Sequence, residues 1–111
     1  MDFSEAAEKA LAFRKARDWE QFHNPKDLAI SINLEASELL ELFQWTGESV
    51  EIDAHRPEAE QELADIMIYC IYFAERLGID IPEAIAAKVE MNEQRYPIEK
   101  SRGSSKKYNE L

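Results

Sequence analysis

The chain has 111 residues, 45% of them hydrophobic, which allows one small packed domain and leaves no room for a second independent core. Its 23 acids outnumber 13 basic residues, for a net charge of −10, and such a surface repels nucleic-acid backbones, so no polymer partner of that kind is expected. A single cysteine, Cys70, leaves no intramolecular disulfide, and no run approaches the roughly 18 apolar residues of a membrane span.

The first predicted helix runs from about Phe3 to Phe22, with Asp2 or Ser4 as N-cap. Its apolar positions Ala7, Leu11 and Phe13 are sparse, so it is expected to pack along one side. His23-Asn24-Pro25 breaks it, and Asn24 can cap a second helix with Pro25 at its first position. That helix is predicted over Pro25 to Trp45, closed by Gly47. A charged connection follows from Glu48 to Arg56. Pro57 opens a third helix that reaches Leu77 and stops at Gly78. Asp80 and Glu83 form a capping pair around Pro82, opening a fourth that ends near Tyr96 before Pro97. Short connections favour antiparallel neighbours, so the expected fold is all-α and four-helix bundle-like over residues 1–97. Residues 98–111 are expected to form an extended or mobile tail. Its four cations outnumber its two acids, leaving −12 on the rest of the chain. The acidic N-terminus lacks the charge pattern of a signal peptide, so a cytoplasmic protein is expected.

Certain acids fall where helices are expected to be apolar. Leu28, Ile32, Glu35, Leu39 and Leu42 follow the 4-3-4-3 spacing of a core seam, which puts Glu35 in the seam and Glu38 one turn on. The third helix has a seam of Leu63, Ile66, Cys70, Phe73 and Leu77. Beside it run Glu62, Asp65, Tyr69, Tyr72 and Arg76. Asp65 is the one charge between Leu63 and Ala74. Four carboxylates gathered without cations repel one another, and a divalent ion would neutralise them; all-oxygen ligands suit Mg²⁺ or Mn²⁺. The residues alone also permit a structural cluster paired with Arg14, Arg17 or Arg76.

ExxE followed by ExxD resembles the MazG-like all-α nucleotide pyrophosphohydrolases. The likeness extends to Arg17-Asp18-Trp19-Glu20-Gln21-Phe22-His23, Leu42-Phe43-Gln44-Trp45, Tyr69, and the Lys88, Asn92, Arg95-Tyr96-Pro97 run with its Lys106-Lys107-Tyr108 ending, which look like the dCTP pyrophosphatase branch. Two positions depart from that pattern. Leu34 precedes Glu35 where the wider family has a second Glu, and Ala10 stands where animal dCTP pyrophosphatases have a His.

The resemblance implies hydrolysis of a nucleoside triphosphate between its α and β phosphates, with Mg²⁺ held by Glu35, Glu38, Glu62 and Asp65. Glu38 is then the first choice to orient the water. Lys88, Asn92, Arg95, Tyr96, Lys106 and Lys107 are candidates for the phosphate end, and Lys88, Asn92 and Arg95 or Tyr96 share one helix face. Trp19, Trp45 and Tyr69 are candidates to stack on the base, with His23 near the mouth of the pocket. Surplus apolar surface on the third helix predicts a homodimer, and the resemblance implies a homotetramer. The rival readings are a helical nucleotide-sensing or oligomerisation module without turnover, and a related enzyme for another nucleotide such as phosphoribosyl-ATP.

Overall fold

A computed structural model describes residues 1–48 and 53–111, and all of its regular structure is helical. Helix α1 spans Phe3–Ala16, α2 Pro25–Glu41, α3 Arg56–Leu77, α4 Ile81–Arg95 and α5 Ile98–Ser101. The chain divides into two compact units, Met1–Gly78 and Ile79–Leu111.

Caps set most of the boundaries. The Asp2 side chain accepts from the Glu5 N–H, Asn24 accepts from the Asp27 N–H ahead of Pro25, and Asp80 accepts from the Glu83 N–H. Gly78 closes α3 in the left-handed conformation, at φ 67°, where a side chain would be strained.

Two predicted helices are too long. Helix α1 stops at Ala16 rather than Phe22, because Asp18 takes a left-handed φ of 54° and turns the chain. The Gln21 amide donates to both the Asp18 carbonyl and its Oδ2, at 3.0 Å each, which holds that turn. A separate single turn then covers Glu20–Phe22. Helix α2 ends at Glu41 and continues as tight turns through Trp45, with the Phe43 N–H donating to the Leu40 carbonyl. The predicted 48–56 connection lies partly outside the described residues; a short turn at Asp53–His55 leads into α3.

In the first unit α3 packs against both α1 and α2. Among the described residues the buried apolar side chains are Leu28 of α2 and Ile71, Tyr72 and Ala74 of α3, with Arg14 of α1 among them. The predicted α2 seam holds, since Leu28 is buried and Ile32, Glu35, Leu39 and Leu42 are half-buried. On α3 the core stripe is displaced from the predicted one. Leu63 and Leu77 are exposed, while Tyr72, on the neighbouring stripe, is 3% exposed. An apolar surface nearly all round α3 leaves the helical phase undefined, so packing against α2 and α1 decides it. The Tyr72 hydroxyl donates to the Ala10 carbonyl of α1 at 2.8 Å, a bond the periodicity does not reveal.

In the second unit, residues 98–111 are not extended throughout. They form α5 and a further turn at Tyr108–Glu110. Tyr108 packs edge-on against Tyr96 at 6.1 Å between centroids and lies under the Arg95 guanidinium at 4.7 Å. These two contacts tie the end of the chain to the end of α4.

Candidate functional site

Helices α2 and α3 bring three of the predicted acids together. Glu35, Glu62 and Asp65 each place a carboxylate oxygen within 4.8 Å of the others. The spacing follows from helix geometry: Glu62 and Asp65, three residues apart, share one face of α3, and Glu35 faces them from the α2 seam. Glu38, one turn beyond Glu35 and exposed, reaches both Glu35 and Glu62 by hydrogen bonds.

The electrostatics are those of a crowded anionic site. Glu35 is pushed up to about 7, first by burial and then by its hydrogen bond to Glu38 and the charges of Glu38, Asp65 and Glu62. Glu62 is also raised, chiefly by its hydrogen bond to Glu38, then by burial and by the charges of Glu38 and Asp65. Crowded together, Glu35 and Glu62 hold a proton more readily than isolated carboxylates do. Glu35 Oε2 and Glu62 Oε2 are buried with no hydrogen-bond partner among the described residues. Orphaned buried carboxylate oxygens that converge in this way fit an oxygen-loving divalent cation, which would take the place of those protons.

Beside the acids lies a cavity of about 690 Å³. Its lining includes the aromatic rings of Phe13, Trp19, His23, Tyr69 and Tyr72, the smaller or aliphatic Ala10, Met67 and Ile68, and Asp65, which belongs both to the lining and to the acid cluster. His23 stacks on Tyr72 at 5.3 Å, Tyr69 meets Tyr72 edge-on at 6.1 Å, and Phe13 meets Trp19 edge-on at 5.6 Å. Burial and then the Arg14 charge hold His23 below its usual range, against a smaller opposing effect of Glu20, so it is a neutral ring near pH 7.

Of the residues predicted to meet a base, Trp19, His23 and Tyr69 line this cavity. Trp45 does not; it is 88% exposed. Lys88, Asn92, Arg95, Tyr96, Lys106 and Lys107 all belong to the second unit. There the Lys88 ammonium lies 3.6 Å from Met91 Sδ, and Arg95 and Tyr96 hold Tyr108. Sequence reasoning marked Ala10, as a departure from the family pattern, but missed Phe13 and Ala6, which line the cavity with it. Their i, i+4, i+7 spacing on α1 is the signal that marks a common face.

An all-helical chain with converging acids next to an aromatic cavity defines a class of acidic, metal-competent helical proteins. The comparisons narrow that class. The MazG-like family matches residues 30–111. The chain is 41% identical over 104 residues to mouse dCTP pyrophosphatase 1, covering 89% of this chain, and 40% identical over the same length to the human protein of that name. It is also similar to the crystal structure of a pyrophosphatase from Archaeoglobus fulgidus, with a TM-score of 0.80 at 40% identity, covering 85% of this chain and 91% of that one. The chain belongs to the MazG-like family. It spans 61% of the length of the mouse and human relatives.

Proposed function

We propose that this protein is a Mg²⁺-dependent nucleoside triphosphate pyrophosphohydrolase, acting on dCTP or a modified pyrimidine deoxynucleotide to give the monophosphate and pyrophosphate. The observation that carries this reading is the double membership of Asp65, which joins the acid cluster to a cavity the size and character of a base-binding pocket. The dCTP and pyrophosphatase activities named for its relatives support the same reaction.

In this reading a water attacks the α-phosphorus, the bond from that phosphorus to the bridging oxygen breaks, and pyrophosphate leaves. Glu35, Glu62 and Asp65 hold Mg²⁺, with Mn²⁺ as an acceptable substitute, and Glu38 completes the set. The ion, when bound, polarises the α-phosphate and offsets charge on the leaving group. Glu38, exposed at the edge of the cluster, orients the water and takes its proton. Trp19 and Tyr69 flank the base, and His23, kept neutral, lies on the same cavity wall. Trp45 covers the pocket mouth only on closure or assembly. Lys88, Asn92, Arg95, Tyr96, Lys106 and Lys107 bind the β and γ phosphates, and residues 98–111 act as a basic tail appended to the helical domain.

Exposed apolar side chains of α2 and α3, such as Ile30, Leu34, Leu40 and Leu63, favour a homodimer or homotetramer. No helix among the described residues is long and apolar enough to cross a membrane, which agrees with a cytoplasmic enzyme.

The test is a nucleotide panel incubated with the protein and Mg²⁺. Pyrophosphate release, greatest with a cytosine deoxynucleotide, is expected. Orthophosphate release, or no product from any triphosphate, contradicts the reading.

A further inference from the structure

The described residues contain one buried charged side chain, Arg14, at 2% exposure, and neither the acid cluster nor the cavity lining includes it. Its Nη2 donates to Glu75 Oε2 at 2.6 Å, joining the last turn of α1 to α3. The guanidinium also lies over the Tyr72 ring at 4.7 Å. Its Nε and Nη1 have no hydrogen-bond partner among the described residues, so the cation is desolvated and held by one carboxylate and one aromatic face. A charge buried on these terms is costly as a mere packing element, and an apolar side chain of similar volume could fill the space.

What Arg14 touches explains its presence. Its carbonyl accepts from the N–H groups of both Arg17 and Trp19, at 3.2 Å each, and so anchors the turn that presents Trp19 to the cavity. Tyr72, under the guanidinium, bears the stacked His23 ring on the cavity wall. Tyr72 in turn donates its hydroxyl to Ala10 of the cavity-facing side of α1. Arg14 is thus the residue at which the two are joined: its backbone carbonyl holds the Trp19 turn, and its side chain, through Glu75 and Tyr72, fastens that end of α1 to α3 beneath the His23–Tyr72 stack, outside the cavity lining.

We propose that Arg14 is a positioning residue that fixes the spacing between Trp19 and the His23–Tyr72 stack, and thereby sets the fit of the pocket for a planar base. The proposal rests on the pyrophosphohydrolase reading for its substrate. Because the acids lie on α2 and α3, loosening this wall should weaken binding of the base much more than it slows the chemical step.

The experiment compares Arg14→Met, Arg14→Lys and Glu75→Gln with the parent protein, with kinetics measured on chains that keep Trp45 and fluorescence measured in a Trp45→Phe background, so that emission reports Trp19 alone. For Arg14→Met we expect KM for the best triphosphate to rise about tenfold with kcat within about twofold, and Trp19 emission to shift to the red. Arg14→Lys keeps a charge for Glu75 but not the flat contact with Tyr72, and should fall between parent and Met. Glu75→Gln, at a half-exposed position, should raise KM about threefold without loss of fold. A folded Arg14→Met protein with parental KM and emission overturns the proposal. If Arg14→Met fails to fold, an unchanged KM in Glu75→Gln overturns it instead, and a raised KM there supports it. Should the parent hydrolyse no triphosphate, the functional reading fails by itself, and the Trp19 emission of the same variants still decides the role of Arg14.

Discussion

The two units of the chain differ in charge and in how tightly they hold their functional side chains. Residues 1–78 carry 17 acids and 7 basic residues, while 79–111 carry six of each, so the whole net charge of −10 belongs to the first unit. The first unit also holds all the buried side chains among the described residues. Its candidate ligands are fixed by helix packing: Glu35 by the α2 seam, Glu62 and Asp65 by the face of α3 that meets it. The candidate phosphate groups of the second unit are half-buried or exposed long side chains, with Arg95 engaged by Tyr108. The difference teaches that the acids are preorganised while the cations are adaptable. Chemistry near the acids should be sensitive to small changes, and binding through the cations should be graded and screened by salt.

The largest effect should come from the acids. Glu38→Ala is expected to lower kcat by about 10²- to 10⁴-fold with the helical content unchanged, measured by pyrophosphate release and far-ultraviolet circular dichroism. Turnover at the parental rate in that variant removes Glu38 from the mechanism. The next contrast is one of stability. Leu28→Ala, at a 1% exposed position, should cost about 2–5 kcal/mol, whereas Val89→Ala, half-exposed on α4, should cost under about 1 kcal/mol in the same denaturant titration. Equal losses would mean that the isolated chain is not the folding unit.

A smaller effect is expected at the phosphate end. Lys88→Ala, and the double change of Lys106 and Lys107 to Ala, should each raise KM by about three- to tenfold, and the rise should shrink as salt increases. The smallest is a pH effect in the metal-free protein. Glu35 is raised from 4.5 to about 7 in the folded state, so the folded protein holds its proton more tightly than the unfolded chain. That contribution is complete below the unfolded value and is lost as pH climbs through about 7. The melting temperature without metal should therefore fall by a few degrees between pH 5 and pH 8, and Glu35→Gln should flatten the decline.

Much of this was legible beforehand where one face of a helix is apolar and the other is not. The α2 seam was of that kind, and it led directly to Glu35. The stops at Asn24-Pro25, Gly78 and Asp80 were equally clear because each uses a cap with a distinct chemistry. Helix α3 was harder, since apolar residues cover most of its circumference and several phases are consistent with its periodicity. The break at Asp18 was not visible because Arg17-Asp18-Trp19 contains no Gly or Pro, and a left-handed Asp depends on the Gln21 bonds that stabilise it. Arg14 was expected as a possible partner for a seam acid. It pairs with Glu75, sixty-one residues away, through a contact that only the packing of α1 on α3 creates.

The central claim is that Glu35, Glu62 and Asp65 form a divalent-cation site whose protons the metal replaces. Calorimetric titration of Mg²⁺ into the metal-free protein at pH 7, in two buffers of different ionisation enthalpy, tests it most directly. The account predicts saturable binding with proton release, and loss of that release together with weaker binding in Glu35→Gln. Absence of binding, or binding that releases no proton and is unaffected by Glu35→Gln, would contradict it.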